Sequence, residues 1–387
     1  MKLDTKIADL STPLTLCLKC GMCIYGGEWP ENYTLCSIFQ SDGRHIASAA
    51  GILNFLKAVS DDKIGYTATI ADIAYKCPTC GVCDMCEVVP VPTPHAKPTE
   101  FIRFLRYQVV KEGLIPDGNI KEIYKQVKDN GDYPGQMVSL LEKIRDDNAQ
   151  VVLFADCIHS KSESKIYQAA LNLLEKMGQK VALYADGGCC GSTLYNLGFW
   201  DELNTLMAKK AAIMSKLKGK QVLFINPHCQ EFMQKRSGDI AAELKGITGR
   251  HFSELLADAL KDGKLKTKEK QNIKVSYHDP CYLGREMGIC EAPRKVLSYI
   301  NGLELIEMKR NRLNAYCCGA GGGGRIEAYP DFSRSMAESR IEEFKETGAE
   351  LLITACPYCK EVFQKVLPEK EKNKIKDIIE FVDERTS

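Results

Sequence analysis

All but one of the 18 cysteines fall into four ordered sets. The first is Cys17, Cys20 and Cys23 with Cys36. The second is Cys77, Cys80, Cys83 and Cys86. The third is Cys157, Cys189, Cys190 and Cys229. The fourth holds five thiols: Cys281, the adjacent pair Cys317 and Cys318, and Cys356 and Cys359. Adjacent cysteines followed by glycine, with a Cys-x-x-Cys beyond, are hard to explain by packing. Thiolates are the ligands of soft metals and iron–sulfur clusters, so the chemistry on offer is electron transfer or redox work on a small molecule. Cys290 belongs to no set and reads as a core thiol.

In the first two sets, three cysteines at successive x2 spacings wrap one face of a cluster and leave one iron for a distant thiolate. In two-cluster ferredoxins that ligand comes from the other motif. The crossed assignment is therefore Cys17, Cys20, Cys23 and Cys86 on one [4Fe–4S] cluster, and Cys77, Cys80, Cys83 and Cys36 on the other. Uncrossed ligation stays open. So does zinc, because Cys-x-x-Cys pairs also build zinc ribbons, although a Cys-x-x-Cys-x-x-Cys run is unusual for that metal. Cys86 follows after x2 and precedes Glu87, and an insert holding Gly26-Gly27-Glu28-Trp29-Pro30 displaces Cys36.

The chain that must position these sulfurs is 387 residues long, with hydrophobic content of 44% and charged content of 27%. Lys+Arg (52) and Asp+Glu (51) nearly cancel, which argues against a nucleic-acid partner. No apolar stretch approaches the roughly 20 residues of a membrane span, and Met1–Ser11 has no signal-peptide core. A cytoplasmic location is expected, where thiols stay reduced and act as metal ligands rather than a disulfide framework.

Three domains are expected: 1–145, 150–262 and 272–387. The first is α-helical. Phe101, Leu105 and Val109 recur at helical spacing, Thr99 after Pro98 suits an N-cap, and residues 115–148 read as a polar linker with two short helical patterns. From residue 150 the chain looks duplicated. Val151–Cys157 matches Ile273–Cys281. The run Val181–Tyr184 before Cys189-Cys190-Gly191 matches Leu313–Tyr316 before Cys317-Cys318-Gly319. Val222–Cys229 matches Leu351–Cys359, and 249–256 matches 376–382. Helical patterns at about 200–217 and 331–347 follow the cysteine pairs. Alternating strands and helices imply parallel α/β units. The lysine-rich stretch Lys261–Lys274 reads as a solvated loop joining them. The fold class is thus α+β and α/β multidomain, a helical two-cluster domain followed by two pseudo-twofold α/β repeats. The alignment puts Asn226 where a cysteine would complete the third set, leaving that repeat with four thiols.

These motifs resemble the iron–sulfur subunits of the heterodisulfide reductase family, in its fused D-type layout of a two-cluster ferredoxin domain with two CCG domains. The stretches His278–Arg285 and Cys317–Gly324 look like motifs of this group. The same layout is shared by subunits of glycolate, lactate and glycerol-3-phosphate oxidising enzymes and of a benzoyl-CoA reductase complex. The resemblance implies that Cys281, Cys317, Cys318, Cys356 and Cys359 hold a non-cubane [4Fe–4S] cluster that cleaves a disulfide or oxidises thiols. It also implies a hetero-oligomeric complex, with a flavoprotein or ferredoxin as electron donor or acceptor. A pure electron-transfer subunit of a flavin dehydrogenase is the alternative function, and a zinc-stabilised interaction module a third. For the four-thiol repeat, a cluster, zinc or no metal all stay open.

Smaller signals complete the reading. Gly319 and Gly321 allow close backbone approach to a bound group. The Gly319–Gly324 run matches a dinucleotide fingerprint only formally, since the cysteine pair rather than a strand precedes it, so no flavin or nicotinamide site is evident. His278 is a candidate proton donor to a departing thiolate, or a hydrogen-bonding residue beside a cluster sulfur or the backbone. Arg285 is a candidate for holding an anionic substrate or a partner carboxylate, or a solvated arginine. His228 reads as a hydrogen-bonding turn residue or a substitute ligand.

Overall fold

A computed structural model describes residues 6–7, 14–15, 17–25, 34–85, 97–133, 149–155, 157, 164–184, 188–268, 272–322 and 327–387. Cys86 lies outside them.

The N-terminal part is helical. Ser48 caps α2 (Ala49–Ser60) by accepting from the Gly51 N–H at 3.3 Å, and Thr67 caps α3 (Ala68–Lys76), so each helix start has a side-chain acceptor for an otherwise orphan donor. A shorter helix, α1 (Ser37–Asp42), begins at Cys36. Pro98 opens α4 (Pro98–Lys111) from its N1 position, where the missing N–H costs nothing. Thr99 is therefore inside the helix and not its cap. Its backbone N–H donates to Asp84 Oδ1 at 3.0 Å, which ties the helix to the second cysteine loop. The expected linker contains a full helix, α5 (Asn119–Asn130), whose buried Ile120, Ile123 and Val127 recur at helical spacing.

Two four-stranded parallel sheets follow. The first has β1 (Val151–Phe154), β2 (Ala182–Tyr184), β3 (Gln221–Phe224) and β4 (Gly249–His251) in the order β2-β1-β3-β4. The second has β5 (Ile273–His278), β6 (Leu303–Leu305), β7 (Leu351–Thr354) and β8 (Ile375–Asp377) in the order β6-β5-β7-β8. The central strands are near-continuous apolar runs buried at most positions, as sheets covered on both faces require. Helices link them: α6 (Ser164–Lys176), α7 (Ser192–Leu197), α8 (Trp200–Met214), α9 (Pro227–Lys235) and α10 (Phe252–Lys261) in the first repeat. The second has α11 (Glu291–Tyr299), α12 (Pro330–Glu346), α13 (Pro357–Val366) and α14 (Ile378–Arg385).

The repeats face each other about a pseudo-twofold axis. Helix α6 packs on α14, and α10 packs on α11, which are equivalent contacts seen from the two sides. Between them Leu153, Leu173, Leu256, Val275, Val296 and Phe381 share one core. The N-terminal helices pack on the first repeat in a second core that contains Phe104, Trp200 and Phe232.

One matched segment differs from the expectation. The partner of β2 is Leu303–Leu305, not Leu313–Tyr316, which carries a 3-10 turn at Arg312–Asn314. The basic stretch is also less free than expected. Thr267 bridges Thr386, and the Lys268 N–H donates to the Arg385 carbonyl at 2.9 Å. Among the described residues no helix is long and apolar enough to cross a membrane.

Candidate metal centres

The two N-terminal cysteine loops adopt one conformation. Lys19 and Thr79, each just before the second cysteine of its loop, take left-handed φ values of 53° and 51°, and Gly21 and Gly81 follow at 81° and 77°. Left-handed backbone at a lysine or threonine is costly and marks a constraint. Its result is an N–H aimed at sulfur: Lys19 N lies 3.4 Å from Cys17 Sγ, and Thr79 N lies 3.4 Å from Cys77 Sγ. Each loop then closes in a 3-10 turn, Met22–Ile24 or Val82–Met85. A backbone donor on a sulfur favours the thiolate, the form that binds metal.

Exposure grades along these loops. Cys20 is exposed and Cys17 and Cys23 are half-buried, whereas Cys36, Cys77, Cys80 and Cys83 are buried. Burial pushes the Cys36 thiol well up. The Phe39 N–H opposes that, and the neighbouring sulfurs of Cys77, Cys80 and Cys23 add to it. Cys36 thus lies near sulfurs of both sets.

The CCG loops are also built alike. Each cysteine pair follows its sheet, and the next glycine is left-handed: Gly191 at φ 106° and Gly319 at φ 93°. The Gly191 N–H donates to Cys189 Sγ and the Gly319 N–H to Cys317 Sγ, both at 3.3 Å. A side chain at Gly319 would place its Cβ 2.7 Å from the Ser333 carbonyl oxygen. Cys157 and Cys281 follow the C-terminal ends of β1 and β5, and α9 and α13 begin just beyond β3 and β7, carrying Cys229 and Cys359. Sites in parallel sheets form at those strand ends.

In the second repeat all five thiols come together. Cys317 adjoins Cys281 and Cys318. Cys359 Sγ lies 3.2 Å from Cys318 Sγ, and Cys356 adjoins Cys359. Hydrogen bonds from Cys317 and Cys359 hold the Cys318 thiol well below its usual value. Tyr282–Glu286, directly after Cys281, forms a single π-helical turn, a feature frequent at functional sites. Four of the five thiols are buried, and Cys281 is half-buried.

In the first repeat Cys190 Sγ lies 3.4 Å from Cys229 Sγ, and Cys189 adjoins Cys157 and Cys190. Asn226 occupies the position of Cys356 and caps α9, its Oδ1 accepting from the His228 N–H at 3.0 Å. His228 packs against Tyr282 at a tilt of 39° with ring centroids 3.8 Å apart and meets Tyr358 edge-on at 5.3 Å. The Tyr358 hydroxyl in turn lies 3.7 Å from Cys157 Sγ. The second repeat's Cys-x-x-Cys loop therefore reaches into the first repeat's thiol set.

Three residues bind these parts together, and two of them carry no signal in the sequence. Arg285 reads from the sequence either as a holder of an anion or partner carboxylate or as a solvated arginine. Its Nη1 donates to the Cys80 carbonyl at 3.1 Å and its Nε to the Leu313 carbonyl at 2.7 Å, with Nη2 on the Ala315 carbonyl. It clamps the second ferredoxin-like loop onto the CCG loop of repeat two. Cys80 and Cys317 meet at this clamp, with Cys281 packed against them, and the Cys317 sulfur is the first influence on the Cys80 thiol. Arg103 is fully buried. It donates to Asn196 Oδ1 at 2.9 Å and to the Tyr282 hydroxyl at 3.0 Å, and pairs with Glu100. Asp132, from the expected linker, accepts the Cys189 N–H at 3.3 Å and pairs with Lys210 at 3.2 Å. A buried arginine or a helix-end aspartate has no sequence signature that announces such a role. Cys290 is half-buried and apart from every set.

The donor set suits iron–sulfur clusters. Beside the five thiols, His278 Nε2, Arg340 Nη2, Tyr316 Oη and Tyr277 Oη are buried without a hydrogen-bond partner. Buried donors of this kind call for acceptors, and cluster sulfurs are acceptors.

A twice-repeated parallel sheet with thiols at its strand ends defines a class, the CCG proteins. A family model described as CCG, cysteine-rich domain, matches residues 151–234 and 275–364. The D-type subunit of the dihydromethanophenazine:CoB–CoM heterodisulfide reductase of Methanosarcina barkeri is 31% identical over 303 residues, covering 75% of this chain and 72% of that protein. The B-type subunit of a CoM/CoB fumarate reductase from Methanothermobacter marburgensis is 28% identical, covering 74% of this chain and 55% of that protein. Among solved structures, a hypothetical protein from Helicobacter pylori matches with a TM-score of 0.50 at 12% identity, over 75% of this chain and 58% of that one, which speaks to the fold alone. The chain belongs to the family of the D-type heterodisulfide reductase subunits, which are oxidoreductase components.

Proposed function

We propose that this chain is an iron–sulfur subunit that exchanges electrons between a flavoprotein or ferredoxin partner and the five-thiol site of repeat two, where a disulfide is reduced or two thiols are oxidised. The observation that carries the reading is the meeting of Cys80, from the second N-terminal set, with Cys317 of the five-thiol site, Cys281 packed against them. Exposure grades outward from there, through half-buried Cys17 and Cys23 to exposed Cys20. When bound, the clusters supply single-electron chemistry and, at the five-thiol site, reaction with sulfur–sulfur bonds.

Cys77, Cys80, Cys83 and Cys36 would hold the cluster nearer Cys317. Cys17, Cys20 and Cys23 would hold the outer one, with Cys86 as its fourth ligand. Cys77 and Cys80 are among the sulfurs near Cys36, as this pairing needs, beside Cys23 of its own set. Cys281, Cys317, Cys318, Cys356 and Cys359 would hold the non-cubane cluster. Cys157, Cys189, Cys190 and Cys229 suit a four-thiolate cluster or zinc. Arg285 holds the Cys80 loop against the CCG loop of repeat two. The name of the Methanosarcina relative points to a heterodisulfide as substrate class and to a complex of several subunits.

A second reading, a pure electron relay within a flavin dehydrogenase, draws on the burial of the site. Only Cys281 among the five thiols is accessible, so a substrate has a narrow approach. Anaerobic metal analysis comes first. About twelve irons per chain or more fit three four-iron clusters, and zinc without iron would sink both redox readings. Oxidation with a dithiol present should then give a thiol-dependent EPR signal that Cys317→Ser abolishes. A spectrum indifferent to thiols would leave only the relay.

A further inference from the structure

The two CCG sites share one backbone but not one environment. His278 pairs with Thr354, two residues before Cys356, and Phe154 pairs with Phe224, two residues before Asn226. Phe154 is therefore the counterpart of His278. An imidazole stands beside the five-thiol site, and the matching strand position of the four-thiol repeat holds a phenyl ring without any donor.

The imidazole is held from behind. Arg340 on α12 is fully buried, and its Nε donates to His278 Nδ1 at 3.1 Å. Its Nη1 pairs with Glu343 at 2.7 Å, and Glu343 is fixed in turn by Arg310 Nε at 3.0 Å. The Arg310 guanidinium lies 4.0 Å from the centre of the Tyr316 ring. Phe363 closes the side of the imidazole edge-on, ring centroids 4.9 Å apart. A guanidinium keeps its protons and only donates. Nδ1 must then accept, and in a neutral imidazole the proton sits on Nε2. That nitrogen is buried with no oxygen or nitrogen partner, and the ring brings a nitrogen within 4.8 Å of the Cys318 and Cys359 sulfurs. A nitrogen that carries a proton has no lone pair for a metal, so His278 is not a ligand in this arrangement. Nor is it a ready proton donor to a leaving thiolate, because giving up Nε2–H from the neutral ring would leave an imidazolate.

We propose that Arg340 is a positioning residue that fixes His278 as the Nε2–H tautomer, and that this N–H donates a hydrogen bond to the Cys318 sulfur, raising the reduction potential of the repeat-two site. The inference rests on the iron–sulfur reading of the five thiols. Its physical basis is that a donor on a ligating sulfur withdraws electron density and stabilises the more reduced state. With Phe154 in the matching place, the first repeat lacks this contribution.

The test uses the full iron-loaded protein. The midpoint potential of the thiol-dependent EPR signal is measured in wild type, His278→Phe, Arg340→Met and Arg340→Lys, with iron counted in each. The expected result is a fall in His278→Phe and Arg340→Met equal to about a tenfold change in the reduction equilibrium, ~59 mV for one electron. Arg340→Lys, which keeps a donor for Nδ1, should recover most of it. Full iron with an unchanged potential in His278→Phe would overturn the proposal. If the variants fail to load iron, pulsed EPR of wild type labelled with 15N-histidine decides. A weak coupling of hydrogen-bond strength supports the proposal; a coupling of a directly bound nitrogen, or none, overturns it. Wild type lacking iron would instead overturn the iron–sulfur reading on which the inference stands.

Discussion

Asn226 is the residue at which the two repeats part. Its Oδ1 caps α9, while its Nδ2 is buried with no partner, a cost on the order of 1–3 kcal/mol. Asn226→Cys would give up the cap, worth roughly 1 kcal/mol, and supply the fifth thiol that Cys356 supplies in repeat two. The expected outcome is more iron per chain than in wild type, read by metal analysis. Equal iron in the two proteins would show that the missing ligand is not what separates the repeats. Asn226 could be found from sequence because the repeats align through the surrounding Pro-x-Cys. His278 could be found too, as a polar residue close to a ligand. Its role could not, since that depends on Arg340, 62 residues away in the chain and without any motif of its own.

At the scale of elements, the loops that present sulfur rely on left-handed backbone. Gly319 combines a φ of 93° with a carbonyl 2.7 Å from where a Cβ would lie, whereas Gly288 has a φ of 74° and open space around it. Both Gly319→Ala and Gly288→Ala should cost about 1 kcal/mol for the backbone. Gly319→Ala should add a steric cost, for a total of roughly 2–4 kcal/mol. Thermal unfolding of the pair checks this, and similar losses in the two would refute the steric part. The elements themselves were unevenly legible. The strands β1, β3, β5 and β7 announced themselves as apolar runs ending at a cysteine or Asn226. The edge strand β6 did not. Its three residues, Leu303–Leu305, are only partly buried or exposed, and an edge position needs little apolar content. The expectation moved instead to Leu313–Tyr316, which sits next to the cysteine pair but serves the Arg285 clamp.

For the whole molecule, the junction of its three parts is ionic and buried. Glu100 on α4 pairs with Arg103 and, at 3.1 Å, with Arg236 of the first repeat, while Arg103 reaches Tyr282 of the second. Burial alone would raise the Glu100 carboxyl, but Arg103 and Arg236 override it and hold it well below the usual glutamate value of 4.5. A depressed carboxyl pKa means stability that is fully present above about 4.5 and drains away as pH falls below it. Glu100→Gln leaves the buried Arg103 guanidinium without its carboxylate partner, while Arg236 keeps Glu231 at 2.6 Å, a loss of about 3–5 kcal/mol at pH 7. The gap between variant and wild type should narrow at pH 3.5, as read from urea midpoints. A gap independent of pH would place the effect in packing rather than charge. The cysteine spacings by themselves determined the chemistry, the two-fold duplication and the family likeness, because ligand geometry ties a cluster to short, local intervals of chain. Only the tertiary structure decided the order of the parts: that Cys36 lies near sulfurs of both N-terminal sets, that Cys80 meets Cys317, and that Tyr358 crosses to Cys157. Those contacts join residues tens to hundreds of positions apart. They are fixed by how buried arginines satisfy distant carbonyls and carboxylates, which no local interval encodes.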